Sequence, residues 1–183
     1  AVRHFTTPGG QDTAGPAGEV GFDVAGADAA PRVPRFAPTI TTQVPSAYVN
    51  GGAFVDDVVF AGDTAHWPRA DDGRFLPVTA TAEVYRTDVP PSAVGGGVPA
   101  DADHVGSLGL TTDAASGAAG PYRVTSVWEL TAPGFYTAVW SIRADDQIPE
   151  VARALAPGYN WNEQFGEPTQ ISLWAAVSSL AEA

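Results

Sequence analysis

The residues of this chain that could do chemistry include three histidines and several acidic pairs. His4, His66 and His104 lie in separate segments, without the His-x-His or His-x-x-x-His spacing common in metal sites. The acidic pairs lack the alternating spacing and terminal Glu of an EF-hand loop. We therefore expect no metal and no other cofactor, and we interpret the histidines as surface residues.

Residue types that many enzymes depend on are missing. The chain has no Cys, and all nine of its basic residues are Arg. It therefore cannot form a disulfide, a thiolate nucleophile, a Schiff base or a Lys–Asn isopeptide bond. It also lacks a G-x-S-x-G elbow, a P-loop and a dinucleotide-binding fingerprint. These absences predict that the protein is not a metabolic enzyme.

Two adjacent aspartates, Asp56 and Asp57, are unusual because they lie within an apolar segment and not in a turn. Successive side chains of a strand point to opposite faces, so one of the two should point inward. A buried carboxylate needs a partner or becomes protonated. The pair is therefore a candidate for a buried acidic group.

The five tryptophans could contribute to a ligand-binding face. Trp128 and Trp140 lie within predicted strands, where packing in the core is the expected role. Trp161 lies in a predicted loop, Tyr159-Asn-Trp-Asn162, and is the first candidate for ligand contact. Trp67 is the second.

The elements that must position these residues are short strands. Twenty glycines and sixteen prolines separate segments in which apolar and polar residues alternate, which is typical of an all-β sandwich. The predicted strands are residues 39–44, 54–61, 78–86, 104–110, 122–130, 135–142 and 169–177, with a further strand at 19–25. Residues 122–130 and 135–142 flank Thr131-Ala-Pro-Gly134 and are predicted to form a hairpin. Residues 148–155 are predicted to form one or two helical turns.

Composition bounds the domain organisation and the environment. Residues 1–37 are rich in Gly, Ala and Pro and are predicted to be a linker or the tail of a preceding module. Residues 38–183 are predicted to form the sandwich. A net charge of −12 disfavours nucleic acid and anionic membrane surfaces as partners, and no apolar run is long enough to span a bilayer. We expect a secreted, extracellular piece of a longer protein.

Four segments carry a resemblance to a known family. These are Thr39-Ile-Thr-Thr-Gln-Val44, Phe54-Val-Asp-Asp-Val-Val59, Gly134-Phe-Tyr-Thr-Ala-Val-Trp140 and Pro168-Thr-Gln-Ile-Ser-Leu173. In order and spacing they resemble the intramolecular ester-bond domains of Gram-positive surface adhesins, and the related stalk repeats of actinobacterial cell-wall-anchored proteins. The resemblance covers roughly residues 38–178 and implies an immunoglobulin-like sandwich with an extended N-terminal segment.

The resemblance also implies a crosslink site. In the family a Thr on the first strand bonds to a Gln on the last strand and releases ammonia; the matching residues here are Thr42 and Gln170. The Asp of the second strand matches Asp57, which would activate the Gln170 carbonyl. The Glu and His of the family fall near Trp140 and at Asn162, so this chain departs from the pattern at both.

Substitutes for those two residues are His66 and Glu129. The resemblance implies a structural stalk or spacer domain of a cell-surface adhesin, with the neighbouring domains of the same protein as partners. Any catalysis would be a single self-crosslinking event. The alternative is a module that binds carbohydrate or a host protein through Trp161, Trp67 and the nearby loops.

Overall fold

A computed structural model describes residues 35–62, 64–92, 97–113 and 118–176. The predicted strand at 19–25 and most of the predicted linker lie outside the described residues. No helix in the described ranges is long and apolar enough to cross a membrane.

The described part of the chain is mostly β-strand. The strands are β1 (Pro38–Gln43), β2 (Tyr48–Val49), β3 (Gly52–Gly62), β4 (Thr79–Thr87), β5 (Asp103–Thr111), β6 (Tyr122–Leu130), β7 (Gly134–Arg143), β8 (Asn160–Asn162) and β9 (Ile171–Trp174). One α-helix, α1 (Pro149–Ala154), lies within the segment predicted to be helical. Short 3₁₀ helices cover Thr64–His66, Ala144–Asp146 and Pro168–Gln170. The two shortest strands, β2 and β8, were not predicted, because two or three residues carry too little alternation to detect.

The strands form two sheets, which confirms the all-β, two-sheet prediction. The first sheet has the order β1-β3-β6 and is antiparallel. The second has the order β2-β9-β7-β4-β5, with β8 paired to the far end of β7. Among the described strands of this sheet, β2 and β9 pair in parallel and the other pairs are antiparallel.

The core contains the inward-facing residues of both sheets. Inward and outward residues alternate along β3, so Phe54, Val58 and Phe60 are buried. The central strand β7 contributes the two largest fully buried side chains of the described residues, Trp140 and Tyr136. On β1 and β3 this alternation decides which side chains point to the interior of the sandwich.

The predicted hairpin of residues 122–130 and 135–142 is wrong. The two segments are strands, but β6 pairs with β3 in one sheet whereas β7 pairs with β4 and β9 in the other. The turn between them therefore crosses from one sheet to the other. Local sequence predicted both strands and the turn, but a strand's partner depends on long-range packing.

The first and last strands, predicted to be neighbours, belong to different sheets. Their segments nevertheless meet at the edge of the sandwich, where the backbone N–H of Val44 donates a hydrogen bond of 2.9 Å to the carbonyl of Thr169. Thr169 and Gln170, predicted to open the last strand, instead belong to a 3₁₀ helix, Pro168–Gln170, and β9 begins at Ile171. This contact brings the two ends of the sandwich together.

The last residues of the predicted linker pack against the sandwich. Phe36 is buried, with its ring centroid 5.0 Å from that of Trp67. Arg35 donates a hydrogen bond to the carbonyl of Leu155. Residues 35–37 therefore contribute to the stability of the domain.

Candidate functional site: a carboxylate-lined cavity between the first and last segments of the sandwich

Thr42 occupies an inward position on β1. Ile40, Thr42 and Val44 share the buried face, as the alternation predicted. The Thr42 hydroxyl donates a hydrogen bond of 3.0 Å to Oε1 of Glu163. A buried hydroxyl requires such a partner, and here it is an acidic one.

Glu163 follows β8 and is held by the backbone of β7. Its N–H donates a 2.8 Å hydrogen bond to the Trp140 carbonyl. The Trp140 N–H in turn donates to Oε2 of Glu163 at 3.3 Å. These bonds leave the other carboxylate oxygen, Oε1, to accept from Thr42.

Burial makes Glu163 a weaker acid than an exposed glutamate. Loss of solvent raises the pKa of Glu163 to about 7, although the hydrogen bonds from Thr42 and the Trp140 backbone lower it. The negative charges of Asp56 and Glu167 raise the pKa further. A carboxyl group that titrates near neutral pH can both accept and return a proton.

Gln170 is buried at the end of its 3₁₀ helix. Its side chain is only 3% exposed, and its Oε1 accepts no hydrogen bond from the described residues. An unsatisfied buried carbonyl is costly, typically about 1–3 kcal/mol, so it marks a position that deserves explanation.

Thr42, Glu163 and Gln170 line one cavity of about 340 Å³. Its other lining residues are Ile40, Thr41, Trp161, Asn162, Gln164, Glu167 and Thr169. The structure thus places the Thr and the Gln that the resemblance selected in the lining of one cavity, although Thr42 lies on β1 and Gln170 on the 3₁₀ helix before β9.

Asp56, and not Asp57, is the inward carboxylate of β3. Asp56 is fully buried, and its Oδ2 accepts a 2.8 Å hydrogen bond from the indole N–H of Trp140. Its Oδ1 has no partner among the described residues. Burial raises the pKa of Asp56 to about 6, although the bond from Trp140 lowers it. Trp140 therefore contacts both the buried Asp56, through its side chain, and the partly buried Glu163, through its backbone.

The expected role of Asp57 is corrected by this geometry. Asp57 points outward and receives two hydrogen bonds of 2.7 Å from the guanidinium of Arg123. The bonds from Arg123 lower the pKa of Asp57. The sequence could have identified Asp56 as the inward residue. It is an even number of positions from Phe54, Val58 and Phe60, the large apolar residues of the strand, and therefore shares their face.

The proposed substitutes His66 and Glu129 are not at the cavity. His66 is exposed at the end of a 3₁₀ helix, and Glu129 is exposed on β6 opposite Ala53. Neither lines the cavity. The acidic residue that does contact Thr42, Glu163, directly follows Asn162, the position to which the resemblance assigned a histidine.

The two tryptophans proposed for ligand contact differ in position. Trp161 lies in the short strand β8 and lines the cavity. Trp67 is buried in the core and donates a 2.8 Å hydrogen bond to the carbonyl of Leu76, so its predicted ligand role is wrong. A loop aromatic can pack inward as readily as outward, and local sequence does not distinguish the two.

Comparison with known proteins adds no assignment. No protein-family model, curated protein or solved structure matches the chain. Within the described ranges, no three His, Asp or Glu side chains are grouped as a metal site would require. The function is therefore argued from the geometry of the cavity.

Proposed function

We propose that this chain is a structural β-sandwich module that staples itself with an ester bond between Thr42 and Gln170. One observation carries the proposal. The Thr42 hydroxyl is hydrogen-bonded to a carboxylate inside the cavity that Gln170 also lines. Acyl transfer requires a nucleophile beside a base and an acyl group within reach, and these three groups line one cavity here.

The proposed bond forms by attack of Thr42 Oγ1 on the side-chain carbonyl carbon of Gln170. The carbon–nitrogen bond of the amide breaks, and ammonia leaves. No cofactor or external reactant is needed, because every atom of the new bond comes from the chain itself.

The position of the bond supports a mechanical role. Thr42 lies on the first strand and Gln170 directly before the last, so an ester would close almost the whole domain into a loop. Tension applied to the two ends would load the covalent bond and leave the interior folded. The ester would also tie the two sheets to each other, because β1 and β9 lie in different ones.

A spacer in a secreted surface protein fits these features. The proposed sandwich is immunoglobulin-like, and its parent is proposed to be a cell-wall-anchored adhesin whose neighbouring domains are its partners. The net charge of −12 favours solubility outside the cell. Because the chain has no Cys, an ester would supply the covalent crosslink that many secreted domains obtain from disulfides.

The test is the intact mass under denaturing conditions. The native protein should be lighter than its sequence by one ammonia, and Thr42→Ala and Gln170→Ala should each have full mass. Thr41→Ala is the matched control, since Thr41 is the exposed neighbour whose hydroxyl bonds to the Val59 carbonyl. That variant should still lose ammonia. Full mass in the native protein would refute the ester.

A second candidate function is ligand binding at the same cavity. The observation that favours it is the indole of Trp161 beside the polar side chains of Asn162 and Gln164, a combination common in sugar-binding sites. A glycan array should then detect binding that Trp161→Ala abolishes and Trp174→Phe, away from the cavity, preserves. Absence of binding across the array would exclude a carbohydrate ligand of the tested set.

A further inference from the structure

We propose that Glu163 is the general base of the ester-forming reaction, taking the proton of Thr42 and passing it to the departing ammonia. This inference rests on the proposed ester bond and assigns the residue that drives its formation. It concerns a position at which the chain departs from the family that it resembles.

The first support is geometric. A general base must lie within about 2.6–3.2 Å of the group whose proton it takes, and Glu163 Oε1 is 3.0 Å from Thr42 Oγ1 with the hydroxyl donating. Within the described part of the chain, Glu163 is the acidic side chain that accepts a hydrogen bond from Thr42. The proton is thus already directed at its acceptor.

The second support is that Glu163 is held in place. Two hydrogen bonds connect it to the backbone of Trp140: the Glu163 N–H donates to the Trp140 carbonyl, and the Trp140 N–H donates to Oε2 of Glu163. Trp140 is in turn fully buried in the central strand β7. The carboxylate oxygen that faces Thr42 is therefore positioned by the rigid part of the sandwich.

The other nearby acids are placed less well for this role. Asp56 is bonded to the Trp140 indole and is not among the residues that line the cavity. Glu167 lines the cavity but makes no hydrogen bond to Thr42. Asp57 points outward to Arg123.

The proton path balances. Glu163, as carboxylate, takes the Thr42 proton while the oxygen forms its bond to the Gln170 carbonyl carbon. The resulting tetrahedral species loses the amide nitrogen, to which protonated Glu163 returns the proton, so that neutral ammonia leaves. Glu163 ends as a carboxylate, and the net change is loss of ammonia.

The acidity of Glu163 fits both halves of this path. Burial raises the pKa of Glu163 to about 7, so the base and its conjugate acid are both populated at neutral pH. The titratable groups that act on it are Asp56 from β3 and Glu167, and both raise this pKa when ionised.

The experiment measures the rate of ammonia loss in the full chain. Cell-free synthesis is stopped after a short pulse, samples are quenched in acid at increasing times, and intact mass gives the crosslinked fraction. Glu163→Gln should slow the reaction by about 100-fold or more, as loss of a general base does. The rate of Glu163→Asp should lie between those of the wild type and Glu163→Gln. Glu129→Gln, at an exposed glutamate of β6 outside the cavity, should remain within a few-fold of the wild-type rate.

A pH profile separates a base from a merely structural residue. The wild-type rate should rise through pH about 7 and then level off, and this step should be absent in Glu163→Gln. Circular dichroism and thermal unfolding establish that the variant is folded. If Glu163→Gln is not folded, the pH profile of the wild-type rate tests the proposal by itself. A wild-type rate that is independent of pH from about 5 to 8 overturns the proposal.

Failure of this inference differs from failure of the ester bond itself. A folded Glu163→Gln that loses ammonia as fast as wild type leaves the crosslink in place and rejects Glu163 as its base. A wild-type protein that never loses ammonia rejects the crosslink, and the role of Glu163 with it.

Discussion

The indole N–H of Trp140 donates a 2.8 Å hydrogen bond to the carboxylate of Asp56, and both side chains are fully buried. Removing the acceptor with Asp56→Ala should destabilise the domain by about 1–3 kcal/mol, because a buried donor loses its partner. Asp56→Asn keeps an acceptor and removes the charge, so its stability at pH 7.5 should equal or exceed that of wild type. Urea unfolding measures both. An equal loss of unfolding free energy in Asp56→Ala and Asp56→Asn would contradict the role of Asp56 as the hydrogen-bond acceptor of Trp140.

The stability of the fold should fall as pH rises from about 4 to about 7. The folded-state pKa values of Asp56, about 6, and Glu163, about 7, lie above the ordinary values of 3.8 and 4.5. The unfolded chain therefore binds fewer protons in this range, and raising the pH favours unfolding, by a few kcal/mol in total.

Urea unfolding across this pH range tests the direction. The variant Gln170→Ala is suitable, because it cannot crosslink and retains the Thr42–Glu163 pair. Asp56→Asn in the same background should flatten the dependence between pH about 4 and 6. Stability that rises with pH would show that these acids are not buried as described.

The outward pair Asp57–Arg123 should contribute little to stability. Both side chains are substantially exposed, and such pairs are typically worth less than about 1 kcal/mol. Asp57→Ala should therefore be far milder than Asp56→Ala, its neighbour in the same strand, and its small effect should shrink further in high salt. A large loss of stability in Asp57→Ala would indicate that Asp57, and not Asp56, is the inward residue of β3.

The ester should make a measurable contribution to stability. A bond that closes a loop of about 130 residues is worth on the order of 4–5 kcal/mol by the chain-entropy estimate used for disulfides. Thr42→Ser keeps the nucleophile and should retain both the ammonia loss and the added stability. Thr42→Val should lose both. Intact mass and urea unfolding, measured on the same samples, show whether ammonia loss and added stability occur together. A Thr42→Ser variant with full mass would argue against attack by the hydroxyl.

The N-terminal boundary can be tested by two deletions. Removing residues 1–30 should leave a cooperatively folding domain. Removing residues 1–37 also deletes Phe36, which packs on Trp67, and should cost about 3–5 kcal/mol more, as loss of a buried Phe side chain does. Phe36→Ala in the shorter deletion is the control. Thermal unfolding of the three proteins measures the difference.

Much of the fold was predictable because strands have a local signature. Alternation placed β1, β3, β4, β5, β6 and β7 within a few residues of their observed bounds. The same alternation predicted that Thr42 faces inward and, read against Phe54 and Val58, would have selected Asp56. The resemblance points to Asp57 instead, but Asp57 is an odd number of positions from Phe54 and therefore lies on the outward face of the strand.

The partners of these strands were not predictable in the same way. Residues 122–130 and 135–142 look like a hairpin in sequence, yet each strand finds a better apolar surface and partner in a different sheet. Glu163 was missed because a single acidic residue after a three-residue strand has no periodicity, and its importance comes from contact with residues distant in the chain.

Local sequence was thus sufficient for the residue types, the positions of the longer strands and the inward face of β1, because these depend on steric rules that act over a few residues. Only the packing of the two sheets decided that Thr42, Glu163 and Gln170 share one cavity and that Trp140 contacts the buried Asp56 and the partly buried Glu163. Burial among those neighbours then weakens the acidity of Asp56 and Glu163, because the loss of solvent that penalises their charge exists only once the sheets have closed.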